Sequence, residues 1–201
     1  MTLKLAILLS GRGSNMQAIH RNIQAKRLDA QIAVVLSDKA DAPGLAFAQA
    51  EGLLTRLVAK AKEEGREAYD QRLIAALDQE KPDLVVLAGF MRLLSPAFIR
   101  HFQHRIVNIH PSLLPAFPGL HAQRQALEAG VRYSGCTVHF VDEGCDTGPI
   151  IDQRVVAVLP EDDEESLAER ILEQEHLLYS SCLQKLAEGK VRIAGKKVIV
   201  E

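Results

Sequence analysis

Leu5-Ala6-Ile7-Leu8-Leu9-Ser10-Gly11-Arg12-Gly13-Ser14-Asn15-Met16 decides the fold class. An unbroken apolar run ends in a glycine-rich turn, after which Met16, Ile19, Ile23 and Leu28 keep helical spacing. A strand that is apolar on both faces suits a parallel sheet covered on both sides. The same order recurs downstream. Residues 32–36 read as a second strand, followed by Ser37-Asp38 and a helix opening near Pro43. Residues 66–79 are amphipathic, with Tyr69, Leu73, Ala76 and Leu77 on one face, and Lys81-Pro82-Asp83 stops them before a strand at 84–88. Repeated strand–helix–strand units predict an α/β, Rossmann-like, doubly wound and mostly parallel sheet through about residue 110.

The second half changes style. Residues 106–109 read as a strand, and Pro111, Pro115 and Pro118 then force an extended, irregular loop. A helix near 121–129 precedes two strands, 137–141 and 150–158. Asp142-Glu143-Gly144-Cys145-Asp146-Thr147-Gly148-Pro149 joins them as a hairpin-like connection, which predicts an antiparallel C-terminal part. The longest helix is expected over 166–187, and 191–193 with 198–200 read as a terminal hairpin. No repeat, low-complexity tract or linker divides the chain, so a single domain over 1–201 is expected.

Composition sets bounds without naming a chemistry. The 201 residues are 47% hydrophobic and 25% charged, and a chain of this size buries enough surface to need no disulfide or metal staple. A net charge of −2 argues against nucleic acid or an acidic membrane as partner. The three cysteines, Cys136, Cys145 and Cys182, are odd in number and form no C-x-x-C pair, the pattern of reduced thiols in a cytoplasmic protein. The run at 5–9 is too short for a signal-peptide core, and no apolar stretch approaches the roughly 20 residues of a membrane helix.

Three segments suggest chemistry. In the first turn, Gly11 and Gly13 permit positive φ and close approach of a ligand, while Ser14 and Asn15 are good N-cap types, so an anion could sit on the helix N-terminus. The third glycine of a dinucleotide fingerprint would fall at Met16, so a monophosphate is expected rather than NAD. A turn serving only packing is the alternative. In Asn108-Ile109-His110-Pro111-Ser112-Leu113-Leu114-Pro115, Asn108 and His110 share one face at the carboxyl end of a strand, where open α/β sheets place ligands. An amide N–H beside an imidazole suits addition to a carbonyl, one stabilising an oxyanion and the other carrying a proton. The alternative is a buried histidine bonded to a loop carbonyl. Asp146 could orient and charge His110 if its loop folds over that face, or could simply close its own turn.

Other residues weigh less. His101 and His104, three apart on an expected helix, read as exposed histidines rather than metal ligands. Lys60, Lys62 and Arg66 read as a solvated face, and the acidic run at 161–165 as first-turn charge on the long helix. His20, His121, His139 and His176 carry no individual signal, and Ser112 lacks the context of a nucleophile elbow.

Four motifs in this order, Ser10-Gly11-Arg12-Gly13-Ser14-Asn15, Ala88-Gly89-Phe90-Met91-Arg92-Leu93-Leu94, residues 108–115 as quoted, and Asp146-Thr147-Gly148-Pro149, resemble the folate-dependent formyltransferases. Within them the turn narrows the likeness to the phosphoribosylglycinamide formyltransferases of purine biosynthesis. The resemblance runs through Gln174-Glu175-His176, nearly the whole chain. It implies transfer of a formyl group from 10-formyltetrahydrofolate, acting as co-substrate, to the amine of glycinamide ribonucleotide, with no metal and no NAD. It further implies that Gly13, Ser14 and Asn15 hold the substrate phosphate and that Glu175 binds elsewhere on that substrate. Arg66, Met91, Arg92, Leu93, Leu94, Asn108, Asp142, Glu143, Gly144, Cys145 and Asp146 would contact folate. Asn108, His110 and Asp146 would be the catalytic trio. Residues 1–110 would then form the ribonucleotide-binding half and 111–201 the folate-binding and catalytic-loop half of a cytoplasmic monomer or homodimer. Two rivals stay open: a 10-formyltetrahydrofolate hydrolase, normally carrying an extra domain for which 201 residues leave no room, and a non-catalytic folate or nucleotide sensor.

Overall fold

The structure, a computed structural model, describes residues 2–201. Its elements are β1 (Leu3–Leu9), α1 (Ser14–Gln24), β2 (Ala30–Ser37), α2 (Pro43–Ala50), β3 (Thr55–Leu57), α3 (Arg66–Asp78), β4 (Leu84–Leu87), α4 (Pro96–His101), β5 (Ile106–His110), α5 (Ala122–Glu128), β6 (Tyr133–Phe140), β7 (Ile150–Ala157), α6 (Glu164–Ala187), β8 (Val191–Ala194) and β9 (Lys197–Val200). Seven strands form one sheet in the order β3-β2-β1-β4-β5-β6-β7, and β8 with β9 forms a separate antiparallel hairpin. The β1–β2, β1–β4 and β2–β3 pairs are parallel and β6–β7 is antiparallel, as the sequence pattern predicts. The backbone divides into two compact units, one ending at Val107 and the other beginning at Asn108, with the boundary inside β5.

In the first unit, Leu5, Ala6, Ile7, Leu8 and Leu9 are wholly buried between β2 and β4. Their unbroken apolar run therefore marks a central strand. Helix α3 buries Tyr69, Leu73 and Leu77 on the expected face. Helix α4 opens with Ser95 as its cap, whose Oγ accepts the Phe98 N–H at 3.3 Å, and with Pro96 in its first turn. One short strand has no counterpart in the sequence reading, and one short helix was expected only through its histidines. Strand β3 has three residues and α4 has six, too few for either periodicity to register. The expected helix carrying both His101 and His104 is corrected accordingly: α4 ends at His101, and His104 lies beyond it with φ 60°.

In the second unit, α6 lies against β6 and β7 and buries Leu167, Ile171, Leu178, Tyr179, Cys182 and Leu183. Its start is a reciprocal capping box. Asp163 Oδ1 accepts the Ser166 N–H at 2.8 Å, and Ser166 Oγ accepts the Asp163 N–H at 3.1 Å. Glu164 and Glu165 supply the first-turn charge expected of the acidic run. The β6–β7 ladder slips between Val138 and His139, where Val138 faces Asp152 but His139 faces Ile150. Ile151 is thus an extra residue on β7, a bulge of the kind that re-aims neighbouring side chains. Among the described residues no helix is long and apolar enough to cross a membrane.

Candidate active site

The first candidate segment lies in the first unit. Gly13 caps α1 in the left-handed region at φ 69°, so Ser14 is the first helical residue and not the cap. Neither Ser14 nor Asn15 therefore caps the helix through its side chain, as their residue types had suggested, and Asn15 is buried within the first turn. A Cβ on Gly13 would sit 2.8 Å from the Cα of Gly44 and 3.2 Å from Cδ2 of Leu9. Gly44 N–H in turn donates to Gly11 O at 3.0 Å. Packing of α2 against the turn is thus a sufficient reason for this glycine. The turn still offers an anion site in principle, because no acidic residue occupies the first turn of α1.

The second unit holds a polar cluster of different character. Strand β5 carries Asn108 and His110, β6 carries His139, and the β6–β7 connection carries Asp146. His110 Nδ1 lies 3.4 Å from Asp146 Oδ2. His110 Nε2 lies 2.9 Å from the Phe117 carbonyl, to which it must donate. This histidine thus meets a loop carbonyl on one side, as its alternative reading had it, and a carboxylate on the other. Donation from Nε2 leaves Nδ1 to accept, or, once protonated, to pair with Asp146. Asp146 sits at φ 54°, a strained setting for a non-glycine residue, and its Oδ2 also accepts the Gly119 N–H at 2.8 Å. The loop after β5 thus contributes two backbone groups to the cluster.

His139, given no role from sequence, is the residue that sequence reasoning missed. Its side chain is 2% exposed, its Nδ1 is 2.8 Å from the Phe140 carbonyl and its Nε2 is 3.2 Å from Asn108 Nδ2. Its Nε2 is also 3.7 Å from Asp146 Oδ1, so the carboxylate stands between two imidazoles. Burial pushes its pKa below the usual imidazole range, against smaller upward pulls from the Phe140 carbonyl and Asp146. The available signal was its register: on β6 it shares a face with Thr137. That hydroxyl donates to Ser112 O at 2.7 Å and accepts the N–H groups of Leu114 at 3.1 Å and Gln153 Nε2 at 2.9 Å. Every valence of Thr137 is used to hold the segment that follows β5.

The hairpin loop is closed by its own side chains. Asp142 Oδ1 accepts Gly144 N–H at 3.1 Å and Thr147 Oγ at 2.7 Å. A Cβ on Gly148 would lie 1.8 Å from Phe140 O, so only glycine fits there. Glu143, Gly144 and Cys145 are exposed along this loop. Cys145 is raised by partial burial first and by Asp146 next, and burial pushes Cys136 and Cys182 up to about 12. All three thiols are thus weakened as thiolates near neutrality.

The remaining expected residues scatter. In the first unit, Met91 and Leu93 are two-thirds exposed, and Leu94 is buried. The Met91 N–H donates to Ser10 Oγ at 2.9 Å. Arg92 is half-buried and already committed, its Nε donating to Asp38 Oδ2 at 2.6 Å and its guanidinium lying 5.3 Å from the Tyr69 ring centre. Arg66 is exposed at the start of α3. In the second unit, Glu175 is buried on α6. The groups gathered in the second unit can donate to a developing oxyanion and carry a proton.

The chain belongs to the formyl transferase family, whose sequence profile matches residues 3–183. It is 44% identical over 191 residues to the phosphoribosylglycinamide formyltransferase of Escherichia coli (strain K12), covering 95% of this chain and 90% of that protein. It is 47% identical over 193 residues to the trifunctional purine biosynthetic protein adenosine-3 of Drosophila melanogaster, where it covers 95% of this chain but spans only 14% of the relative's length. The solved structure of glycinamide ribonucleotide transformylase 1 from Symbiobacterium toebii matches with a TM-score of 0.97 at 47% identity, covering 99% of this chain and 94% of that one. The likeness extends through the parallel sheet and its antiparallel end, as the resemblance implied.

Proposed function

We propose that this chain transfers the formyl group of 10-formyltetrahydrofolate to the amine of glycinamide ribonucleotide, yielding formylglycinamide ribonucleotide and tetrahydrofolate in cytoplasmic purine biosynthesis. The observation that carries the reading is the meeting of Asn108, His110 and Asp146, through His139, in one polar cluster, within a member of the formyl transferase family. Residues 1–110 supply the ribonucleotide-binding half and 111–201 the catalytic-loop half. Gly13, Ser14 and Asn15 take the phosphate on the helix N-terminus, and Glu175 binds another part of the ribonucleotide. Arg66, Met91, Arg92, Leu93, Leu94 and the loop of Asp142, Glu143, Gly144, Cys145 and Asp146 contact folate. Arg92 acts there through its exposed edge, since its Nε is held by Asp38.

The amine attacks the formyl carbon and the carbonyl electrons move onto oxygen. One N–H of Asn108 and the protonated His110 stabilise that oxyanion, each contributing about 3 kcal/mol by analogy with oxyanion-hole donors. His110 reaches the oxygen by sharing its Nε2–H, now given to the Phe117 carbonyl, or by exchanging partners. Asp146 stabilises the imidazolium through Nδ1. The proton lost by the amine reaches the folate nitrogen through His110 or a water at Asp146 as the carbon–nitrogen bond to folate breaks, a step worth roughly 10²- to 10⁴-fold. No covalent enzyme intermediate is needed.

The test is to incubate the chain with 10-formyltetrahydrofolate, with and without glycinamide ribonucleotide, and to follow folate release. Release that depends on the ribonucleotide is expected. Release without it would make the chain a hydrolase, and no release in either case would leave a binding protein.

A further inference from the structure

An amide side chain presents two different ends, and formyl transfer works only if the donating end faces the oxyanion. Nothing in Asn108 itself makes that choice, because rotating the amide by half a turn exchanges Nδ2 for Oδ1 at little steric cost. The choice is made by what the amide faces. His139 Nδ1 is 2.8 Å from the Phe140 carbonyl, an acceptor without a proton, so the ring proton sits on Nδ1. Nε2 then carries a lone pair, and 3.2 Å away it accepts from Asn108 Nδ2. With Oδ1 turned to the same place, two acceptors would meet beside a ring that is only 2% exposed, an unfavourable contact.

We propose that His139 is a positioning residue for formyl transfer: its Nε2 lone pair locks the Asn108 amide with Nδ2 toward the cluster, leaving the second N–H for the formyl oxygen. This rests on the formyl-transfer reading of the same site. The bulge at Ile151 serves the same end, because it sets the register at which His139 leaves the ladder. The ring must also be uncharged for this role. A proton on Nε2 would face the Asn108 N–H and would turn the ring toward Asp146 Oδ1, 3.7 Å away, in competition with His110. Burial favours the uncharged ring; His110 adds to that, whereas the Phe140 carbonyl, Asp146 and Asp142 oppose it.

The test is a double-mutant cycle with rescue. His139→Phe keeps an aromatic ring and removes the acceptor. It should lower kcat on the order of 10- to 100-fold and leave KM for both substrates within about twofold, the signature of a misaimed catalytic group. His139→Gln restores an acceptor oxygen and should recover most of the loss. In an Asn108→Ala background, His139→Phe should cost nothing further, since its effect runs through Asn108. Losses that multiply independently, or equal losses in the Phe and Gln variants, would overturn the proposal while leaving formyl transfer intact. Nitrogen NMR of the wild-type imidazoles decides the contact without any activity or variant. A neutral His139 protonated on Nδ1 is the expected state, and a proton on Nε2 near neutral pH would refute the lock. Absence of transfer by the wild-type chain, by contrast, would refute the activity and not the contact.

Discussion

The turn of Gly11 and Gly13 and the cluster of Asn108, His110 and Asp146, which His139 joins in the structure, both suggest binding chemistry, yet they stand differently toward the fold. Gly13 is explained by packing alone, since any side chain would strike Gly44 and the left-handed backbone already favours glycine. The cluster has no such account. It buries two imidazoles beside a carboxylate, holds Asp146 in a left-handed conformation and takes up a loop carbonyl and a loop N–H. Well-packed apolar residues in place of a buried charged pair are often neutral or stabilising. A residue the fold demands is weak evidence of function, and a group the fold would be easier without is strong evidence.

Mutations can break this contrast from either side. The largest effect is expected at His110→Ala and Asp146→Ala, each lowering kcat by roughly 10²- to 10⁴-fold, far more than it weakens folate binding. Near-wild-type turnover in either purified variant would remove the chemistry from this cluster. Gly13→Ala should do the reverse, losing about 1–3 kcal/mol of stability in denaturant titrations through overpacking and backbone strain. If it folded as stably as the parent, the close approach of Gly44 would not be the reason for glycine at this position. A control on scaffold alone is Asp163→Ala, which opens the capping box of α6 and should lower Tm by a few degrees with kcat unchanged. The smallest effect concerns Cys145. Its pKa is raised, so less of it is thiolate near neutrality, and it should alkylate more slowly than a free cysteine despite its exposure. Faster alkylation would mean that neither its partial burial nor the Asp146 carboxylate, 3.6 Å from its Sγ, suppresses the thiolate.

What the sequence made legible follows from the range of each signal. The central strand β1 could be read because complete burial leaves an unbroken apolar run. Asn108 and His110 could be read because strand alternation and the following Pro111 fix their common face locally. Asp146 was visible only as a carboxylate in a glycine-rich connection, and its nearness to His110 depended on how that loop closes. His139 was not legible, because its meaning comes from a residue on another strand and from a one-residue slip at Ile151 that no residue type announces. The Phe117 carbonyl and Gly119 N–H were hidden for a deeper reason: backbone groups are the same at every position. The Arg92–Asp38 pair, 54 residues apart in the chain, altered the expected role of Arg92 through a contact that spacing cannot reveal.

The central claim is that the polar cluster moves a formyl group directly from donor to amine. A rapid-quench single turnover with isotopically labelled formyl donor, excess enzyme and glycinamide ribonucleotide tests it. The label should pass to the ribonucleotide amine in one phase, with none bound to protein at any time. Label trapped on the chain, or released as formate in the presence of the ribonucleotide, would contradict it.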